Sequence, residues 1–258
     1  DMTHLFPRIS VTLWLLLYFI SPRLAIAESL TIAVASNFAD TAKHLVEEFE
    51  MNSDHEAQLI LGSSGRFFAQ ISNGAPFDIF LSADREKPSA LVEAGLARPE
   101  SRFTYAIGRL ALWSRDEMLV SGDVSVLQTD SFRKVAIANP RLAPYGKAAR
   151  EVLNEYGLYN ELSARLVQGE NIAQAFQFVF TGNAELGFVS LSQVMKGGAL
   201  ASGSAWIIPE NLHLPIRQDA VILTNAVSAG ATEAFMNFMK TPRSRAIIAS
   251  YGYGLEGL

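Results

Sequence analysis

From Glu28 onward the chain alternates short apolar runs with segments of helical periodicity, and that alternation restricts it to an α/β fold with strands sandwiched between helices. The pattern predicts a strand over 30–35, then a helix over 39–49 with Ala42, Leu45, Val46 and Phe49 on one face. Strands over 58–61 and 77–82 follow, with a short helix over 67–72 and another beginning near Pro88. A second series begins after Ser101: one long strand over 103–113, then strands at 135–138, 166–167 and 185–189 alternating with helices at 147–156, 172–180 and 191–195. A late strand at 220–223 and helices at 232–239 and 243–249 close the chain. An early series, a middle series and a late return suit two α/β lobes joined by two crossovers, expected near 105–109 and 217–221. Lobe I is then 28–107 with 221–258, and lobe II is 108–220. A length of 258 residues with 49% hydrophobic content is ample for two such cores.

The first 27 residues have a different character. Arg8 precedes an apolar run over 11–20, Pro22 breaks any helix there, and Ala25-Ile26-Ala27 places small residues at the spacing of a secretory cleavage site. A signal peptide over 1–27 is expected, with the mature chain beginning near Glu28 and exported to the periplasm. The run of ten residues falls short of the ~20 that a membrane-spanning helix needs. Loss of Asp1, Arg8 and Arg23 with that segment takes Lys plus Arg from 21 to 19, Asp plus Glu from 26 to 25, and the net charge from −5 to −6. Nucleic acid is thereby disfavoured as a partner. An anionic ligand would have to be collected by local donors and not by the field of the whole protein. Cysteine is absent, which removes disulfides, thiolate chemistry and Cys-ligated zinc.

Chemistry can collect where strands turn into helices. Ser36-Asn37 follows the first strand, Gly62-Ser63-Ser64-Gly65 the second, Ala143-Pro144-Tyr145-Gly146 precedes one helix of the middle series, and Glu170-Asn171-Ile172 opens the next. In open α/β sheets such turns gather at the carboxyl ends of the strands, where ligands bind, and two facing lobes would aim them into one cleft. Helix amino termini present unpaired N–H groups and a partial charge of about +0.5 each, so four together would roughly neutralise a dianion. The hydroxyls of Ser36, Ser64 and Tyr145 and the Asn37 amide add neutral donors. Each turn alone reads more readily as an ordinary cap or flexible link, so anion binding rests on the four occurring together.

At these same residues the chain resembles a known family, the molybdate-binding proteins of ABC importers, often called ModA. The resemblance is carried by Ile32-Ala33-Val34-Ala35-Ser36-Asn37-Phe38, by Gly62-Ser63-Ser64-Gly65 with Ala69-Gln70-Ile71, and by the block from Asn73-Gly74-Ala75-Pro76 to Ser82-Ala83-Asp84. It continues through Phe103-Thr104-Tyr105-Ala106-Ile107-Gly108, Ala138-Asn139-Pro140 with Ala143-Pro144-Tyr145-Gly146, and Leu186-Gly187-Phe188-Val189. It implies a type II periplasmic binding protein fold whose two lobes close on a tetrahedral oxoanion, molybdate or tungstate. The implied contacts are Ser36, Asn37, Ser64, Tyr145 and the backbone at Ile172. The implied partner is the permease subunit of an ABC importer, with a monomeric protein, no cofactor and no catalysis. In one branch of the family a tyrosine follows the Leu-Gly-Phe-Val strand. Here that position is Ser190, so the resemblance assigns the phenol to Tyr145 and leaves Ser190 outside the contacts.

Other residues carry less. Arg66 is expected at the surface or behind the contacts, Glu170 to point away, and Asp78 and Asp84 to cap or terminate local structure. His44, His55 and His213 have no metal-ligand spacing, and Tyr251 and Tyr253 are expected to pack the final segment. A binding protein for sulfate or a phosphonate is the nearest alternative. A hydrolase using Ser64 lacks a histidine base in any of the four turns and the Gly-x-Ser-x-Gly spacing of a nucleophile elbow.

Overall fold

The computed structural model describes residues 28–256, so the expected signal peptide lies outside the described residues. In chain order the elements are β1 (Ser29–Ala35), α1 (Ala39–Met51), β2 (Glu56–Gly62), α2 (Ser64–Ser72), β3 (Ile79–Leu81), α3 (Glu86–Glu93), β4 (Phe103–Gly108) and β5 (Leu110–Ser114). They continue with β6 (Val135–Ala138), α4 (Pro144–Glu155), α5 (Leu158–Glu161), β7 (Leu166–Gly169), α6 (Ile172–Phe180), β8 (Leu186–Ser190) and α7 (Leu191–Val194). The short strands β9 (Met195–Lys196) and β10 (Ala199–Leu200) precede β11 (Ser204–Ile207), β12 (Ile216–Ile222), α8 (Ala229–Met239) and α9 (Pro242–Ser250).

Two five-stranded sheets organise these elements, one in the order β2-β1-β3-β12-β4 and the other β11-β5-β8-β6-β7. Within the first, β1 runs parallel to β2 and β3, whereas β12 is antiparallel to β3 and β4. Because helices cover both faces, β1 is apolar on both. Leu30, Ile32 and Val34 pack with Phe38, Leu45, Phe49 and Phe235, and Ala33 faces Phe67, Phe80 and Leu91 on the other side. Each large side chain withdrawn from water in this way contributes roughly 1.5–3 kcal/mol. The second sheet has its own core, built on Leu110, Leu112, Ile137, Val152, Leu186 and Phe188. The molecule is thus a two-lobe α/β protein of the periplasmic binding protein type.

Local periodicity locates most elements, but two expectations about how the lobes join need correction. The long strand read over 103–113 is two strands in different sheets: β4 pairs with β12, β5 pairs with β8 and β11, and the chain changes lobe at Arg109. The return, expected at 217–221, comes earlier, over 208–215, because the whole of β12 lies in the first sheet. Residues 216–220, expected in lobe II, therefore pair with β4. Arg217-Gln218-Asp219 does not read as a buried strand, yet Gln218 and Asp219 are almost fully enclosed because each finds polar partners from distant segments. The strand also bulges between these two residues.

Candidate functional site

The four turns singled out in the sequence do meet. A 3-10 turn, Ser36–Phe38, leads from β1 straight into α1, and α2, α4 and α6 start directly or shortly after β2, β6 and β7. Their amino termini surround one small cavity of ≈ 10 Å³, whose lining includes Ser36, Asn37, Ser64, Tyr145 and Ile172, all five expected contact residues. That is about the volume one water-sized sphere requires, so the donors around it already stand close together. Every one of the five is at least nine-tenths buried.

Each residue has a distinct donor geometry. Ser64 is the first residue of α2, and its Oγ accepts a hydrogen bond from the Ala83 N–H at 2.9 Å, which leaves its own O–H to donate elsewhere. The helix is capped one residue earlier, by Ser63 accepting from the Arg66 N–H. At α6 the cap is Asn171, which accepts from the Gln174 N–H, so the Ile172 N–H in the first turn is left without an intrahelical partner. Pro144 occupies the first position of α4 and has no N–H to offer, which makes Tyr145 the first donor of that helix. Asn37 differs from expectation in detail. Its carboxamide donates to Gln218 Oε1 at 2.9 Å and to the Tyr253 hydroxyl at 3.1 Å, so both hydrogens are engaged and its backbone N–H is the donor it has left.

Tyr145 is the most constrained of the five. Its phenol oxygen accepts from Ser190 Oγ at 3.1 Å and from Gln218 Nε2 at 3.2 Å. Burial pushes its pKa well above that of a free tyrosine, with Tyr253 nearby adding to the rise, so it is a neutral phenol throughout the physiological range. Gly108 makes this arrangement possible, since a Cβ there would lie 2.2 Å from the phenol oxygen and 2.7 Å from Gln218 Nε2. Behind Asn37, the hydroxyls of Tyr253 and Ser192 both donate to the Asn37 carbonyl, at 2.7 and 3.0 Å. Tyr253 therefore does more than pack the final segment, and Ser190 bonds to Tyr145 while itself fully enclosed.

Besides the bonds from Gln218 to Tyr145 and from Ser192 to Asn37, three contacts join the lobes around the cavity. The Gly65 N–H donates to the Leu142 carbonyl at 2.8 Å, Arg66 pairs with Glu170 at 3.3 Å, and Lys147 pairs with Glu86 at 3.1 Å. Arg66 and Glu170 are both largely exposed, so neither is positioned as a buried charge at the anion. Asp84 accepts from the Lys87 N–H at the start of α3, a local role, whereas Asp78 ties β1 to the segment before α8 by accepting from the Thr31 and Val227 N–H groups. Among the described residues no cluster of His, Cys, Asp and Glu could hold a metal ion. Gln218 and Ser192 escape the sequence reading, and Tyr253 reads there only as a packing residue, because each acquires its partners only through folding.

The profile of the bacterial extracellular solute-binding protein family matches residues 30–254. The molybdate-binding protein ModA of Azotobacter vinelandii is 47% identical over 230 residues, which is 89% of this chain and 91% of that protein. The ModA of Rhodobacter capsulatus is 46% identical over 233 residues, 90% of each chain. The solved structure of the Azotobacter vinelandii periplasmic molybdate-binding protein aligns with a TM-score of 0.87 and 42% identity, covering 88% of this chain and all of the other. With the two sheets, the interlobe cavity and these likenesses in agreement, the chain belongs to the bacterial extracellular solute-binding proteins and, within them, to the ModA molybdate-binding family.

Proposed function

We propose that this protein captures molybdate, or the nearly isosteric tungstate, between its lobes in the periplasm and hands it to the permease subunit of an ABC importer. The observation that carries the reading is the convergence of four helix amino termini and the hydroxyls of Ser36, Ser64 and Tyr145 at a cavity with no charged side chain in its lining. A buried dianion needs its lost hydration replaced bond for bond. Fixed N–H dipoles and neutral hydroxyls do this without burying a countercharge, and they are already in place when the ion arrives. The contacts are Ser36, Asn37 through its backbone, Ser64, Tyr145 and the Ile172 N–H. The protein acts as a monomer that binds and releases, without a cofactor and without chemistry on the ion.

Selectivity follows from the donor set. Molybdate, tungstate and sulfate are fully deprotonated at neutral pH and present only acceptors, whereas phosphate keeps a proton that needs an acceptor. In a donor-only cavity that proton stays unpaired, at a cost of about 1–3 kcal/mol. Sulfate passes this test but its shorter bonds leave fixed donors too distant for good hydrogen bonds. Calorimetric titration of the protein near pH 7 should show molybdate and tungstate binding alike, sulfate far more weakly and phosphate not measurably. Phosphate binding as tight as molybdate would mean that an acceptor faces the ion, and the donor-only account would fall.

A further inference from the structure

Gln218 sits on β12, fully enclosed, at the bulge where the returning chain enters the first lobe. Its carbonyl oxygen accepts from Asn37 Nδ2 at 2.9 Å and from the Tyr105 hydroxyl at 3.1 Å. With the oxygen so occupied, the amide nitrogen faces Tyr145, and an amide nitrogen can only donate. Ser190 donates to the same phenol oxygen from the other lobe. A phenol oxygen that accepts two hydrogen bonds has one hydrogen left and no lone pair well placed for another donor. That hydrogen is then directed away from both partners, toward the cavity that Tyr145 lines.

We propose that Gln218 is a positioning residue of the oxoanion site: by donating to the Tyr145 oxygen and accepting from Asn37, it holds the phenol as an obligate donor and couples the two lobes' contacts to the ion. The inference rests on the oxoanion reading given above and adds to it the origin of the donor-only character. Were the amide reversed, its oxygen would take the phenol hydrogen, and Tyr145 would present a lone pair to the ion. The titratable groups around Gln218 are Tyr105 on β4, Tyr145 on α4 and Tyr253 in the final segment, and Asp84 and Asp219 act on Tyr105 from farther off. Arg217 and Asp219 flank Gln218 on β12 and are held in ion pairs, Arg217 with Glu256 and Asp219 with Arg85 and Arg102.

The test is a double-mutant cycle on molybdate affinity, read by calorimetry on the full mature protein. Gln218→Met removes both hydrogen-bonding groups at similar size and should weaken binding about three- to tenfold, the worth of one neutral hydrogen bond. Made in a Tyr145→Phe background, the same change should cost less than twofold, because the group it acts through is gone. Gln218→Glu supplies a rescue that a merely structural role does not predict. The protonated carboxyl reproduces the amide's pattern, one oxygen accepting and one O–H donating, whereas the carboxylate only accepts and draws the phenol hydrogen out of the cavity. Affinity of Gln218→Glu should therefore approach that of the unsubstituted protein at the acid end of a pH 5.5–8.5 series and fall at least tenfold at the alkaline end. Equal losses from Gln218→Met with and without Tyr145, or a pH profile for Gln218→Glu as flat as that of the unsubstituted protein, would overturn the assignment. Failure of the unsubstituted protein to bind molybdate would instead overturn the functional reading on which it rests.

Discussion

Gly108→Ala is a one-carbon change that should damage binding without substituting a contact residue. Gly108 ends β4 at the crossover, and its backbone is not in the left-handed region, so alanine is acceptable there on conformational grounds. The added methyl would lie 2.2 Å from the Tyr145 oxygen, 2.7 Å from Gln218 Nε2 and 2.8 Å from Tyr145 Cζ. Relief to an ordinary separation of at least 3.4 Å requires the phenol to retreat by more than 1 Å. The bonds from Ser190 and Gln218 stand at 3.1 and 3.2 Å, near the upper end of the useful range, so a shift of that size weakens or breaks them and misaims the phenol hydrogen. Overpacking of this kind costs about 1–3 kcal/mol, offset in part by roughly 0.4–1 kcal/mol of reduced unfolded-chain entropy. The apo protein should thus lose at most about 2.5 kcal/mol, a drop of several degrees in melting temperature. Molybdate affinity should fall ten- to a hundredfold, as expected for a misplaced donor to a charged ligand. Calorimetry and thermal unfolding of the same preparation read both quantities. A Gly108→Ala protein with unchanged affinity would show that Tyr145 can move without loss, and the geometry assigned to the phenol would be wrong.

Two further outcomes follow from the same hydrogen bonds. Ser64→Ala should cost ten- to a hundredfold in molybdate affinity, and because it also orphans the Ala83 N–H it should lower apo stability by about 1–3 kcal/mol in denaturant unfolding; Ser190→Ala should cost less than either Ser64→Ala or Tyr145→Phe, since Gln218 still donates to the phenol. Tyr105, Tyr145 and Tyr253 have pKa values raised by burial, that of Tyr253 to about 12, so their contribution to stability is complete below the unfolded-state value of about 10 and is lost as pH rises toward the folded values. Stability should fall between pH 10 and 12 with a slope of up to about 4 kcal/mol per pH unit, with phenolate absorbance appearing at unfolding, and Tyr253→Phe should make that slope shallower. Ionisation of all the phenols near pH 10 in the folded state would refute this.

The sequence by itself determined the α/β class, nearly all helices and most strands, and the four turns that build the site. These are local properties. Periodicity places Ala42, Leu45, Val46 and Phe49 on one face within a few turns of helix, and the caps Ser63 and Asn171 bond N–H groups only three residues away. The donor character of Ser64 and Tyr145 is likewise a matter of residue type, and the family resemblance picked out the same five positions. Only the tertiary structure decided what is non-local. An apolar stretch such as 103–113 does not announce that its halves join different sheets, because either half satisfies the same alternation and the pairing partner makes the choice. The polar stretch at Arg217-Gln218-Asp219 becomes a buried strand because its side chains find partners that no local signal reveals: Gln218 meets Asn37 from 181 residues away and Tyr145 from 73. The same is true of Tyr253, whose bond to the Asn37 carbonyl spans 216 residues. Local order in the chain laid down the donors, and long-range polar contacts, worth making only once both lobes have buried them, decided which way those donors point.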